Sequence, residues 1–332
     1  MTATARPATR RRPDEPAVTA MLALAQRAPS VHNTQPWRWH FDGERLHLFA
    51  DPDRMLPATD PHGREQTISC GAVLHHARTA FADRGWHTDT VRLPEPARPD
   101  YLAIIDFRPW ADPPAGIAAR AAAITRRYAD RLPMGRPRHW SELVPKLQRL
   151  TSPHGIHCDV LAEDLRAQLA AISDTASAAR RDDRMYQNEL NWWTGSSGTA
   201  EGIPPGSRIS AAELSRVGVA REFPSVPPSD RRPDRVDEAR LLALSTPEDS
   251  PASWLHTGEA LSAVLLECTA AGMNTCPVTH LTEVPSGRRA LAALLPRHDV
   301  PQVLVRVGTT ADRDPQPPIT GRRRVGEVGT PI

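Results

Sequence analysis

Apolar residues recur along this chain at helical spacing in some stretches and at alternating positions in others. Residues 18–28 carry Met21, Leu22 and Leu24 at helical spacing, and Pro29 ends this predicted helix. Alternation then begins around Asp42-Gly43, with Trp37-Arg38-Trp39-His40-Phe41 before it and Leu46-His47-Leu48-Phe49 after it. The change of period predicts a helix followed by a β-hairpin.

Further helix and strand patterns divide the chain into two halves. The same patterning predicts helices over 64–85, 117–126, 141–150 and 163–193, and strands over 86–93, 101–107 and 156–161. Prolines punctuate a linker between residues 109 and 114. We therefore predict a first half over 17–112 and a second half over 113–332. Residues 1–16 are rich in Arg, Ala, Pro and Thr and are predicted to form a disordered tail.

Residues 194–253 differ from the rest of the second half. They are rich in Gly, Pro, Ser and charged residues, and they are too long for an ordinary loop. Two interpretations remain open. The segment is either disordered, or it is an insertion that folds over the rest as a lid or arm.

A weak internal repeat indicates how the halves are related. Gly71 and Gly85 are 14 residues apart around an apolar helical stretch, and Gly258 and Gly272 repeat this spacing. Each stretch leads into an extended run, and the matching central strands are predicted at 101–107 and 301–308. The pattern favours an α+β fold with two pseudo-symmetric half-domains in one chain.

Composition excludes several classes of protein. The 332 residues carry 41 Lys plus Arg against 39 Asp plus Glu, so no single-sign field favours nucleic acid or a membrane surface. The four cysteines have no C-x-x-C spacing, which favours reduced thiols over disulfides or zinc. No apolar run approaches the ~20 residues of a membrane helix. We expect a cytoplasmic protein without a metal site.

The junction between the first helix and the hairpin carries the most specific motif. It reads Pro29-Ser30-Val31-His32-Asn33-Thr34-Gln35-Pro36-Trp37, with amide side chains that both donate and accept hydrogen bonds. P-S-x-x-N-x-Q-P-W before a hairpin resembles the FMN-dependent nitroreductases. The resemblance implies a nitroreductase-like fold, here like a fused homodimer. It also implies FMN-binding positions at Pro29, Ser30, Val31, His32, Asn33 and Gln35.

Three segments of the second half resemble further parts of that family. Arg127-Tyr128-Ala129-Asp130-Arg131 is similar to the family motif R-[RH]-S-x-[RK], which implies that Arg127 binds the FMN phosphate and Arg131 lies near flavin N1 and O2. Ala129 departs from the motif and lacks its hydroxyl. The segment 272–280 resembles the stretch beside flavin N5, with candidate residues Pro277, Val278, Thr279 and His280. The C-terminal tail, residues 320–328, resembles the family's arginine-containing C-terminal segment, which implies a phosphate contact from Arg322 or Arg323. The sequence does not choose between them.

The distribution of these motifs implies one composite FMN site per chain, because each half supplies parts that the other lacks. The arrangement resembles the Acg-type branch of the nitroreductase-like flavoproteins. It implies two-electron reduction of nitroaromatic or quinone-like acceptors by NAD(P)H, without a catalytic side chain, in a monomer whose partner is a small-molecule acceptor. The alternative is a non-catalytic FMN storage protein whose flavin is covered by the insertion.

Overall fold

The computed structural model describes residues 12–195, 201–224, 226–311, 314 and 320–330. The helices are α1 (Glu15–Ala25), α2 (Arg64–Asp83), α3 (Ile117–Ala123), α4 (Trp140–Thr151), α5 (Arg166–Arg181), α6 (Arg184–Gly195), α7 (Ala211–Val217), α8 (Pro251–Ala270), α9 (His280–Glu283), α10 (Pro285–Ala292) and α11 (Val325–Val328). The strands are β1 (Trp37–Phe41), β2 (Leu46–Ala50), β3 (Trp86–Arg92), β4 (Tyr101–Pro109), β5 (His157–Leu161), β6 (Arg240–Thr246), β7 (Asn274–Val278), β8 (Val300–Gly308) and β9 (Gly329–Thr330).

The two sheets repeat one strand order. In the first sheet the order is β3-β4-β2-β1, and in the second it is β7-β8-β6-β5. All pairs within these two sets of four are antiparallel, and each set has its predicted central strand, β4 or β8, in the second position. The C-terminal strand β9 then joins β1 in parallel. The fold is therefore α+β with two pseudo-symmetric halves, as the sequence predicted.

Helices α2 and α8 hold equivalent positions in the two halves and pack against each other. Their predicted repeat glycines, Gly71 and Gly258, lie within these helices rather than at their starts, because each helix begins seven residues earlier. Gly85 and Gly272 follow the helices with φ of +76° and +77°, a conformation that favours glycine. The boundary of the halves near residue 112 stays a prediction.

The first helix begins earlier than the apolar pattern indicated. The Asp14 side chain accepts a hydrogen bond from the Ala17 N–H, and Pro16 occupies a first-turn position that suits proline. Helix α1 therefore starts at Glu15 and ends at Ala25, not at residues 18 and 28. The disordered tail was predicted to extend to residue 16, but α1 already begins at Glu15. Residues 1–11 lie outside the described residues.

The predicted long helix over 163–193 is wrong, because the structure divides it into α5 and α6. The break falls at Asp182-Asp183, where the Asp183 carboxylate accepts from the Tyr186 N–H and pairs with Arg180 at 3.0 Å. An aspartate that caps the start of a new helix competes with continuation of the old one.

The insertion was predicted over residues 194–253, but the end of this range belongs to the second sheet. Its last part contains β6, whose Leu241, Leu242, Ala243 and Leu244 are buried between β5 and β8. A strand buried on both faces reads as a continuous apolar run, which is the pattern here. The described part of the insertion also forms α7, which a capping box between Ser210 and Glu213 begins. Residues 196–200 and 225 lie outside the described residues.

The four cysteines, Cys70, Cys158, Cys268 and Cys276, are buried free thiols. Burial raises the pKa of Cys158 to about 12 and that of Cys70 further, so these side chains are neutral packing residues. Within the described part of the chain, no helix has the length and apolar character needed to cross a membrane.

Candidate functional site

A cavity of about 740 Å³ lies between elements of both halves. The loop before β1 and the first turns of α2 form its wall from the first half. The segment after α3, the strand β7 and the start of α9 form its wall from the second half. Insertion residues Ile203, Pro204, Ser207 and Phe223 also line it. Of the sixteen predicted FMN-binding residues, fourteen line this one cavity: Pro29, Ser30, Val31, His32, Asn33, Arg127, Tyr128, Ala129, Arg131, Pro277, Val278, Thr279, His280 and Arg322.

The loop of residues 29–35 has an unusual backbone. His32, Asn33 and Gln35 have φ of 47°, 59° and 51°, a region that costs energy for residues other than glycine. The Ser30 hydroxyl accepts from the Gln35 N–H at 3.0 Å, and the Ser69 hydroxyl on α2 accepts from the Val31 N–H at 3.1 Å. These bonds hold the strained loop against α2 at the cavity wall.

Asn33 joins the loop to two distant segments. Its side-chain nitrogen donates to the carbonyl of Gly202 in the insertion at 3.1 Å and to the carbonyl of Gly321 in the tail at 3.2 Å. Both amide hydrogens are therefore used within the protein. The structure gives Asn33 an organising role at the wall that the motif alone did not indicate.

Gln35 and Arg323 are not among the residues that line the cavity. The Gln35 side-chain oxygen accepts from the Arg323 backbone N–H at 2.8 Å, and the Arg323 guanidinium pairs with Asp51 at 3.5 Å. Gln35 also donates to the Asn33 carbonyl at 3.3 Å. Gln35 and Arg323 therefore hold the loop and the C-terminal tail together outside the cavity lining. Arg322 is the tail arginine that lines the cavity.

Three arginines form what we call the arginine group: Arg27, Arg127 and Arg322. Arg127 and Arg322 each donate to the Arg27 carbonyl, at 3.2 and 3.3 Å. Burial and the neighbouring arginines lower the pKa of Arg127 to about 10 and that of Arg322 to about 9. Among the described residues, no carboxylate pairs with any of the three. Three clustered cations with no anionic partner in the described residues favour the binding of an anion.

The segment around Arg131 connects the cavity to the insertion. The Arg131 guanidinium donates to the Ser207 carbonyl at 3.0 Å and lies 5.3 Å from the Phe223 ring centroid. Ala129 pairs with Thr275 of β7 as an isolated parallel bridge, and the Tyr128 hydroxyl accepts from the Asn274 side chain. The predicted motif segments 127–131 and 272–280 thus run side by side.

A second cluster, which we call the Thr279 group, contains Glu65, Arg221, Thr279 and Glu283. The Thr279 hydroxyl lies 3.2 Å from Glu65 Oε2 and 2.9 Å from Glu283 Oε1, and Arg221 pairs with Glu283 through both terminal nitrogens. Glu65, Arg221 and Thr279 line the cavity. Thr279 alone of this group was predicted from the sequence.

The two histidines at the cavity are neutral. Burial and the charge of Arg221 lower the pKa of His32 and of His280 to about 3. His280 Nε2 lies 2.7 Å from the Ser173 hydroxyl. A neutral imidazole contributes one donor and one acceptor and no charge at physiological pH.

Several buried polar atoms at the cavity have no protein partner within the described residues. They are the Nε atoms of Arg27, Arg127 and Arg322, His32 Nε2, His280 Nδ1 and Thr275 Oγ1. A buried donor or acceptor left unpaired costs about 1–3 kcal/mol. Such atoms on residues around one cavity indicate a site built for a polar, anionic ligand.

Comparisons with known proteins agree with the predicted class. No family model matches the chain. In Mycobacterium tuberculosis (strain ATCC 25618 / H37Rv), the protein provisionally named NAD(P)H nitroreductase acg is 45% identical over 312 residues, which cover 94% of this chain and 94% of that protein. The protein provisionally named NAD(P)H nitroreductase Rv3131 of the same strain is 38% identical over 95% of this chain and 92% of its own length.

Solved structures of nitroreductases align with part of the chain. The FMN-dependent nitroreductase NfnB from Mycobacterium smegmatis, in complex with NADPH, is 16% identical, covers 64% of this chain and 93% of its own, and has a TM-score of 0.36. A nitroreductase with bound FMN from Bacteroides fragilis is 15% identical over 61% of this chain and 94% of its own, with a TM-score of 0.38.

The sequence relatives and the two matched sheets define the class, an α+β protein of the nitroreductase type with two halves in one chain. Within that class, the chain belongs to the family of Acg and Rv3131 from Mycobacterium tuberculosis.

Proposed function

We propose that the chain is an FMN-dependent oxidoreductase that uses NAD(P)H to reduce nitroaromatic or quinone-like acceptors. The observation that carries this proposal is the arginine group, three cations that no carboxylate of the described residues pairs with, in a cavity lined by both halves. The names of its relatives, NAD(P)H nitroreductases, support the same class of reaction.

The residues present fit the phosphate of FMN. Arg127 and Arg322 each keep an Nε without a partner in the described residues, and burial together with the neighbouring cations lowers the pKa of each. A phosphate dianion relieves that repulsion and accepts charge-assisted hydrogen bonds. Ala129 contributes no hydroxyl, so within the motif 127–131 the phosphate contact falls to Arg127.

The remaining cavity residues suit the flavin ring and its acceptor. FMN supplies hydride transfer when bound, and the protein orients it and sets its electrostatics. Arg131 would place positive charge near the ring, where it stabilises the anionic reduced form. The neutral His32 and His280 would accept or donate one hydrogen bond each, and the insertion residues exclude water.

The phosphate assignment is tested by FMN titration of Arg127→Ala. Because a charge-assisted contact contributes about 1.5–3 kcal/mol, we expect FMN affinity to fall roughly 10- to 150-fold with the fold intact. Arg84→Ala is the matched control, since Arg84 is exposed at the end of α2 and does not line the cavity. Equal affinities for both variants would refute the assignment.

Storage of FMN is the second candidate function. The specific observation that favours it is the bond from Asn33 to the Gly202 carbonyl, which ties the insertion to the cavity wall. Ile203, Pro204 and Phe223 extend this cover. Anaerobic mixing with NADPH separates the candidates, because rapid bleaching of the flavin absorbance supports the enzyme and persistence supports storage.

A further inference from the structure

The Thr279 hydroxyl lies between two buried carboxyl groups. Its oxygen is 2.9 Å from Glu283 Oε1 and 3.2 Å from Glu65 Oε2. A hydroxyl has one hydrogen to donate, so it serves only one of the two carboxyl groups at a time. Arg221 also donates to the Thr279 oxygen at 3.3 Å and to Glu283 Oε1, so Glu283 has a donor without the threonine hydrogen. Both contacts of Thr279 are hydrogen bonds at once when one of the two carboxyl groups carries a proton of its own.

The surrounding charges place that proton on Glu65. Arg221 pairs with Glu283 through both terminal nitrogens, and it helps to hold the pKa of Glu283 at about 2 against the effect of burial. Burial, followed by the charge of Glu283, raises the pKa of Glu65 well above its usual value. Two nearby carboxyl groups thus divide into one carboxylate and one acid.

The other charged groups near Glu65 do not reverse this division. Arg64 pairs with Glu65 Oε1 at 3.0 Å, and its charge and that of Arg221 lower the pKa of Glu65, but burial outweighs both. Arg64 also donates to the Gln302 carbonyl and to the Thr282 hydroxyl. Asp60, just before α2, adds negative charge that raises the pKa of Glu65 further. The side chain of Glu65 is nearly fully buried and still forms part of the cavity wall.

We propose that Glu65 is the proton donor of the cavity: a neutral carboxylic acid that Thr279 orients and that protonates the bound acceptor during its two-electron reduction. This role rests on the proposed function. For a quinone, NAD(P)H supplies a hydride, which carries two electrons and one hydrogen, and is oxidised to NAD(P)⁺. That hydrogen supplies one O–H of the hydroquinone, and the proton that leaves Glu65 Oε2 forms the other O–H. Solvent then returns a proton to the Glu65 carboxylate.

Infrared spectroscopy of the FMN-loaded protein at neutral pH tests the protonation state directly. We expect a carboxylic acid C=O band that shifts in D₂O and is absent from Glu65→Gln. Glu259→Gln is the matched control, because Glu259 is equally buried but its ion pairs with Arg78 and Arg92 hold its pKa at about 2. That variant keeps the band. A band that survives in Glu65→Gln would overturn the proposal.

Two further measurements remain informative if Glu65→Gln folds poorly. Thr279→Val keeps Glu65 and removes its hydroxyl partner, so the acid band persists at a shifted frequency. Unfolding free energy measured against pH gives the second result. An acid whose pKa is raised by folding makes stability fall as pH rises above the unfolded value of 4.5, and Glu65→Gln removes this fall. An unshifted band in Thr279→Val or an unchanged slope in Glu65→Gln would contradict the assignment.

Single-turnover kinetics test the donor role. Protein reduced with NADPH is mixed with 1,4-benzoquinone, and Glu65→Gln is expected to slow this step by about 100-fold or more, a larger factor than its effect on reduction by NADPH. The wild-type rate falls at high pH, and the variant loses that dependence. An unchanged quinone step in a protein that turns over overturns the donor role alone. A protein that shows the Glu65 band but never oxidises NADPH overturns the proposed function as well.

Discussion

Gly71 and Gly258 each occupy the space that a side chain on the other would need. A Cβ on Gly71 would lie 2.1 Å from the Leu255 carbonyl oxygen, and a Cβ on Gly258 would lie 2.0 Å from the Ile68 carbonyl oxygen. The two 20-residue helices that bear them, α2 and α8, therefore contact each other through their backbones. The contact is nearly the same from either helix, as the internal pseudo-symmetry of the two halves requires.

The first prediction concerns this crossing. Gly258→Ala is expected to lower the free energy of unfolding by about 1–3 kcal/mol or more, because the contacting atoms are backbone and the helices must separate. Gly195→Ala is the control, since a Cβ there meets nothing within 4 Å. Urea unfolding measures both variants. Equal stability for the two would show that the helices do not cross this closely.

The second prediction separates the two tail arginines. Arg322→Ala should weaken FMN binding roughly 10- to 150-fold, because it removes a cation from the arginine group. Arg323→Ala should leave FMN affinity near that of the wild type and lower stability instead, because it removes the side-chain contacts of Arg323 with the Asp51 carboxylate and the Gln35 backbone carbonyl. FMN titration and thermal unfolding of both variants are the measurements. The reverse pattern would assign the phosphate to Arg323.

A third prediction tests whether the insertion covers the ligand. Gly202 has φ of +74°, and a Cβ there would lie 2.4 Å from the Trp193 carbonyl oxygen, so Gly202→Ala should displace the segment that Asn33 holds. We expect FMN to be released faster in stopped-flow experiments than from wild type or from Gly195→Ala. A storage protein should also gain reduction by NADPH, whereas an enzyme should show a higher KM for its acceptor. Unchanged release would remove the insertion from the site.

The fourth prediction concerns acid stability. Burial lowers the pKa of His75 to about 3, so the unfolded chain takes up a proton below pH 6.5 that the folded chain does not. Stability is therefore lost as pH falls from about 6.5, at about 1.4 kcal/mol per pH unit for this group. His75→Asn should reduce the slope of unfolding free energy between pH 6.5 and 5 by that amount. An equal slope in wild type and variant would mean that His75 is protonated in the folded protein.

Local patterning was sufficient for much of the fold. The hairpin, α2 and the central strands β4 and β8 lie close to their predicted positions, because each has a strong period or an apolar run. Strand β6 was missed because its four apolar residues follow a stretch of Pro, Arg and Asp. The division of α5 from α6 depends on capping by Asp183, and periodicity does not report it.

The site was less accessible from sequence than the fold. Two motifs indicated Arg127 and Thr279 as site residues. Arg27, Glu65 and Arg221 are recognised as site residues only through contacts with residues distant in the sequence. Glu65 meets Thr279 across 214 positions, and Arg27 meets Arg322 across 295. Because nearly all the cationic side chains are arginines, no local sequence pattern distinguishes the few arginines that lack a carboxylate partner in the described residues.

The central claim is that the two halves build one composite FMN site per chain. The most direct measurement is a titration of the flavin-free protein with FMN at protein concentrations well above the dissociation constant, followed by fluorescence or calorimetry. We predict saturation at one FMN per chain, with loss of tight binding in the double variant Arg127→Ala and Arg322→Ala. Saturation at two FMN per chain, or tight binding that survives in the double variant, would contradict the account.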